Sequence, residues 1–79
     1  MARNTYPWVK IVARLRRRPG AWQLVFPDHP FRLAARINRR EHPALRLEKG
    51  RLEAKIVNGY WDQQNGKHKA DIWVRYVAD

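Results

Sequence analysis

Apolar residues recur every three or four positions in two stretches of the chain and every second position in three others. In residues 7–18 the side chains of Trp8, Ile11, Val12 and Leu15 fall on one stripe, with Lys10, Arg14, Arg17 and Arg18 largely opposite. That period predicts an amphipathic helix with one face against a core. Asn4 or Thr5 supplies its cap, Pro7 sits in the first turn, where a missing N–H costs nothing, and Pro19-Gly20 ends it. Residues 30–40 repeat the design. Phe31, Leu33, Ala34 and Ile37 form the apolar stripe, while Arg32, Arg36, Arg39 and Arg40 stand at i, i+4, i+7 and i+8 on the other side. Asp28 or His29 is the expected cap, and Pro43 marks the end.

Alternation marks the strands. In residues 21–26, Trp22, Leu24 and Phe26 are expected to face inward. In residues 51–57 the inward set is Leu52, Ala54 and Ile56. Residues 70–77 are the most β-prone, with Ile72, Val74 and Tyr76 inward and Trp73, Arg75 and Val77 outward. Between them, residues 27–30 read as a turn, 44–47 as a short extended piece and 48–50 as a tight turn. Residues 58–69 carry Asn58-Gly59 and Asn65-Gly66 and read as a long hairpin loop.

The order is therefore α-β-α-β-β. The expected fold is a small single α+β domain spanning residues 1–79, with residues 1–4 frayed and two helices packed on a three-stranded, mainly antiparallel sheet. The last strand is apolar on both faces, which suits the central place between the other two. A winged-helix-like arrangement is the alternative. It requires two consecutive helices before the hairpin, and Pro43 leaves little room for the second.

Charge changes this picture more than composition does. The 79 residues carry a net charge of +10. Before Gly50 there are twelve Lys or Arg against three acids, and from Gly50 onward five against four. One basic face on a nearly neutral scaffold is the natural reading, and its partner is a polyanion. Four Trp, three Tyr and two Phe supply enough apolar surface for a folded domain rather than a basic tail. The absence of Cys rules out disulfides and thiolate chemistry. No apolar run has membrane-spanning length, and the first residues lack a signal-peptide core, so a soluble protein of the cytoplasm is expected, with no membrane partner.

Catalysis finds no support. His29, His42 and His68 are scattered among expected turns. Asp28-His29 and Glu41-His42 each set an acid beside a histidine, but adjacent side chains point apart. No metal or other cofactor is expected. The stronger signal is the arginine-rich helix faces. Arg14, Arg17, Arg18, Arg32, Arg36, Arg39 and Arg40 are the candidate contacts to nucleic-acid phosphates, with DNA preferred to RNA. Part of the 16–18 cluster also suits the negative end of its helix, so a purely structural role stays open. Trp61, Trp73 and Arg75 are candidate base-stacking or partner contacts. For Trp73, burial beneath a covering helix is the favoured expectation.

Several runs occur together in one order: Leu15-Arg16-Arg17-Arg18-Pro19-Gly20-Ala21-Trp22, Ala35-Arg36-Ile37-Asn38-Arg39-Arg40, Leu52-Glu53-Ala54 and Trp73-Val74-Arg75-Tyr76-Val77. In this the chain resembles a group of small basic proteins encoded by actinobacteriophages. The resemblance implies a phage origin, a shared fold and a bacterial host cell, and no specific activity. Two functions follow as expectations. One is nucleic-acid binding through the helix faces. The other is modulation or inhibition of a host protein, with Trp61 or Trp73 as anchor.

Overall fold

The chain's most β-prone stretch becomes the strand with two neighbours. The structure is a computed structural model and describes residues 7–78. In chain order its elements are α1 (Trp8–Arg16), β1 (Gln23–Pro30), α2 (Phe31–Asn38), a 3-10 helix (Pro43–Leu45), β2 (Arg51–Asp62) and β3 (Lys67–Val77). The strands pair in the order β1-β3-β2, and β3 is antiparallel to both neighbours. This is a small α+β domain of α-β-α-β-β order. Only the three-residue 3-10 helix stands between α2 and β2, so the second helix of a winged-helix arrangement is not formed.

Alternation on β3 sorts the two sheet faces. Ala70, Ile72, Val74 and Tyr76 are buried beneath the helices, whereas Asp71, Trp73, Arg75 and Val77 are half-buried on the outer face. Trp8, Val12 and Leu15 of α1 and Leu33, Ala34 and Ile37 of α2 close the core from one side. Leu15, Ile37, Leu45, Ile72 and Val74 are its fully enclosed centre. The expected helix stripes thus pack as apolar periodicity requires. Ile11 and Phe31 sit at the margins, half-buried.

The boundaries differ from expectation where local signals were outweighed by pairing across the sheet. Helix α1 stops at Arg16, two residues early, with Arg17 at its C-cap. Pro7 occupies the N-cap without a side-chain bond. The expected caps Asn4 and Thr5, like the frayed residues 1–4, lie outside the described residues. Residues 27–30 are the end of β1 rather than a turn, and α2 starts at Phe31 with Pro30 at its N-cap. Neither Asp28 nor His29 caps it. The Asp28 carboxylate accepts from the Tyr60 hydroxyl instead, and His29 Nδ1 lies 2.8 Å from the Pro27 carbonyl oxygen. Residues 43–45 form the 3-10 helix where an extended piece was expected. His42 caps it by accepting from Ala44 N at 3.1 Å, and the turn buries Leu45.

The expected long loop at 58–69 is mostly strand. β2 runs to Asp62 and β3 begins at Lys67, so the turn is residues 63–66. Asp62 organises it. Its carboxylate accepts from Gln64 N (3.1 Å) and Asn65 Nδ2 (2.7 Å), and Gly66 takes the left-handed conformation at φ +62°.

Three irregularities decide which side chains face the helices. The β1–β3 register shifts once between Leu24 and Phe26 and again between Phe26 and His29. The β2–β3 register shifts between Val57 and Tyr60. Each one-residue bulge exchanges the two faces beyond it. Phe26 therefore points into the core while Leu24 pairs with outward Trp73. Trp22 was expected inward, but it lies half-buried on the outer face, with Lys55 Nζ 4.4 Å and Arg75 Cζ 4.6 Å from its ring centroid. Ile56 keeps the helix-side orientation of its partner Ile72 but stays exposed at the sheet edge.

One carboxylate holds a bulge on each side. Asp71, on the central strand, accepts from Asp28 N at 3.1 Å through Oδ1 and from Asn58 Nδ2 at 3.5 Å through Oδ2. Asp28 and Asn58 both adopt left-handed backbone, φ +56° and +57°. Such conformations cost energy outside glycine and persist where surrounding bonds fix them. Replacing Asp71 by Ala is expected to lower stability by about 1–3 kcal/mol, the usual scale for losing hydrogen bonds to a charged acceptor. Urea denaturation measures it, and a wild-type midpoint would show that the bulges stand without the carboxylate.

Candidate nucleic-acid interface

Two side-chain contacts bring the basic ends of the helices level. Arg14 Nε donates to Gln23 Oε1 at 3.0 Å, tying the last turns of α1 to the start of β1. Asn38, the last residue of α2, brackets the backbone of Ala54: its Nδ2 donates to Ala54 O at 3.1 Å, and Ala54 N donates to its Oδ1 at 2.9 Å. The amide acts as a short surrogate strand on the open edge of β2. Gln23 pairs with Val74, and Val74 with Ala54, so the two docking points lie in one row across the sheet. At normal strand spacing that row is about 10 Å long.

Both helices consequently finish at the same end of the molecule. Arg14, Arg17 and Arg18 are exposed around the α1 terminus, and Arg36, Arg39 and Arg40 around that of α2. Arg16, outside the expected set, stacks over the Tyr76 ring at 5.4 Å at this same end. Helix C-termini carry partial negative charge, which favours the cations there.

The turn after α2 adds an acid that the helical projection did not bring near. Arg40 N donates to Ile37 O at 3.1 Å and Glu41 N to Arg36 O at 3.2 Å, with Arg40 left-handed at φ +55°. This is a Schellman turn with arginine where glycine is favoured. It swings Glu41 back to Arg36 (3.6 Å) and Arg39 (3.8 Å), so the arginine face is partly paired rather than free of acids. All three side chains remain largely exposed, and such pairs contribute little. Arg46 closes the turn by donating through Nε to Arg40 O at 3.2 Å.

Arg32 stands apart, at the other end of α2. There it lines a groove with Phe31, Trp61, Lys67 and His68. Trp61 belongs to β2 rather than to a loop, and it is 51% exposed. Phe31, Lys67 and His68 were missed as neighbours of Trp61 because residues 58–69 read as loop. The Asn58-Gly59 pair was the available signal, being as suited to a bulge as to a turn.

Trp73 and Arg75 lie on the outer sheet face, and among the described residues no helix covers it. Trp73 is half-buried there. Arg75 pairs with Glu53 at 2.7 Å and cradles the Trp22 ring, so its charge is already engaged. Glu53 also meets Arg51 at 3.0 Å. The bond from Arg75, then that from Arg51, holds the Glu53 carboxyl below its ordinary value. Its contribution to stability is therefore present above that value and lost as pH falls.

The three histidines sit in separate settings: His29 beside Phe26, His42 at the 3-10 cap and His68 in the groove. Among the described residues no three His, Cys, Asp or Glu side chains gather as metal ligands, and no helix is long and apolar enough to cross a membrane. No protein-family model, curated protein or solved structure matches the chain.

Among the described residues Tyr60 is strongly perturbed. Its hydroxyl donates to the Asp28 carboxylate, and this bond first, then desolvation and the nearby negative charge, pushes its pKa from 10 up to about 12. The raised value means that the stability contributed by this bond is intact below pH 10 and is lost as pH rises through about 12. Tyr60→Phe is expected to remove the phenolate absorbance that develops near pH 12 and to flatten the alkaline fall in melting temperature. Spectrophotometric titration of both proteins checks it.

Proposed function

We propose that this chain is a small nucleic-acid-binding protein that grips the phosphate backbone with the arginines gathered at the C-terminal ends of its two helices. The observation that carries the proposal is the Gln23–Val74–Ala54 row, to which Arg14 of α1 and Asn38 of α2 are both tied, with Arg17 and Arg18 following the one and Arg39 and Arg40 the other. Guanidinium groups on two helix ends suit the repeating charge of a backbone, and bidentate donation suits phosphate oxygens. Arg40 adds a second support. A left-handed arginine at a glycine position is a local cost, and such costs concentrate where a side chain serves binding. The contacts are to phosphates, so the binding is sequence-tolerant, with DNA in the cytoplasm of a bacterial host as the favoured target.

A second reading, a phage-encoded modulator of a host protein, draws on the open outer sheet face with half-buried Trp22 and Trp73 and exposed Leu24. Charge favours the first reading. The outer face is threaded by the Arg51–Glu53–Arg75 ion pairs, whereas the helix ends carry an excess of cations.

Binding to a labelled DNA duplex at two salt concentrations tests the proposal. Arg36→Gln with Arg39→Gln is expected to weaken binding on every sequence and to lower the slope of log affinity against log salt by about two. Glu41→Gln frees both arginines and is expected to tighten binding. Arg40→Gly separates function from folding: it is expected to raise stability by roughly 0.5–1 kcal/mol, by relieving the left-handed residue, while weakening binding. A wild-type protein that retains no DNA or RNA at low salt would end this reading. A pull-down from host lysate would then take precedence.

A further inference from the structure

At the end of the sheet away from the helix C-termini, one bulge assembles an aromatic groove. Before the bulge, residues of β2 and β3 pair as Ile56↔Ile72 and Val57↔Asp71. After it they pair as Tyr60↔Lys69 and Trp61↔His68. The extra residue on β2 exchanges its faces, so Trp61 joins His68 on the helix side and Tyr60 turns outward to Asp28. Gly59 completes the arrangement. A Cβ there would lie 2.8 Å from Phe31 Cζ, so the Phe31 ring rests directly on the glycine backbone.

Three rings therefore converge. Trp61 meets His68 at 4.8 Å between centroids and 63° between planes, and Phe31 meets His68 at 5.3 Å and 31°. They line a groove of about 320 Å³ together with Arg32 and Lys67. That volume lies at the lower end of the range for small-molecule sites, about 300–1,000 Å³. No carboxylate is among the described residues lining it. Among the described residues neither Arg32 nor Lys67 forms an ion pair. Asp62 stands across from Lys67 in the register, but its carboxylate is engaged by Lys69, Gln64 and Asn65, so flat apolar walls beside Arg32 and Lys67 fit a ligand that is planar in one part and anionic in another.

We infer that this groove holds an unpaired nucleotide of a single-stranded nucleic acid, its base stacked on Trp61 and its phosphates on Arg32 and Lys67. The inference rests on the nucleic-acid reading above and deepens it. Arg32, Arg36 and Arg39 follow one another along α2 over about 10 Å, so the row that begins at the groove leads to the basic end of the molecule. A strand anchored by one base at the groove thus continues over the arginines without crossing an acidic surface other than Glu41. A base within a duplex is already stacked on both faces and cannot enter. The groove accordingly confers a preference for single strands, such as a melted segment or an overhang.

Fluorescence anisotropy of labelled oligothymidylate, and of a labelled duplex of equal length, tests this with the full chain. Trp61→Ala is expected to weaken single-strand binding by about five- to one-hundred-fold, the range seen when a stacking aromatic is removed. Duplex affinity should change less than about twofold, and the salt dependence on single strands should hold, since no phosphate contact is lost. Trp61→Phe should restore most of the affinity, because a ring returns to the wall. Gly59→Ala, which displaces Phe31, should reproduce the selective loss. Because Trp61 is half exposed, Trp61→Ala should melt close to the wild type, and Trp61→Phe serves as the folded control. Equal losses on single strand and duplex, or no loss on either, would overturn the groove while leaving the arginine reading intact. A wild-type chain that retains neither probe overturns both.

Discussion

One carboxylate in the middle of the sheet touches the bulges of both edge strands. Asp71 faces outward from β3 and reaches both neighbours, accepting from the backbone of Asp28 on one side and from the side chain of Asn58 on the other. The two left-handed residues it holds are the kinks at which the edge strands change face. His29 returns to the helix side beyond the first kink and Tyr60 turns out toward Asp28 beyond the second, while Phe26 owes its inward direction to the separate shift after Leu24. Other side-chain contacts also cross the sheet, among them Arg75–Glu53 and Lys69–Asp62 between β3 and β2, but neither of these two touches both edge strands at once. A charged acceptor shared between two bulges favours this register over its neighbours.

The helix layer answers a different constraint. Eight exposed arginines must be carried by two short helices and the turns that follow them, and the apolar stripes leave few choices of orientation. Mutual repulsion among them is lowered in three ways visible in the fold. All but Arg32 gather toward the C-terminal ends, where the helix dipoles are negative. Glu41 is folded back by the Schellman turn onto two of them. Arg14 and Arg46 spend donors on Gln23 and on the Arg40 carbonyl. These devices moderate the field without neutralising it. Arg17, Arg18 and Arg40 remain exposed, and the proposed polyanion would relieve what is left.

The two candidate surfaces are joined by α2. Its N-terminal end, at Phe31 and Arg32, belongs to the groove beside Trp61, and its C-terminal end belongs to the basic cluster. Asn38 fixes the second end to β2 through Ala54, and Phe31 fixes the first through close approach to Gly59. The helix is thereby bound to the same edge strand at both ends, which makes the spacing between groove and cluster a property of β2 rather than of a flexible linker.

The sequence by itself determined the periodic features. Apolar residues at helical spacing placed Trp8, Val12 and Leu15, and then Leu33, Ala34 and Ile37, against the core, and alternation placed Ile72, Val74 and Tyr76 there. It also determined the α-β-α-β-β order, the central place of the last strand and the outward direction of the helix arginines. These depend on the repeat of a single element, and each residue carries its part of the signal. Only the tertiary structure decided what lies between elements. Trp22 and Leu24 face outward, and residues 58–69 form strands, because a bulge of one residue inverts every side chain beyond it and its position is set by a partner on another strand. Glu41 meets Arg36 and Arg39 because Arg40 turns left-handed, which no helical projection anticipates. The level of the two helix ends, and the meeting of Phe31, Trp61 and His68, follow from register across three strands. Register is an energy shared among distant residues, and local pattern holds no record of it.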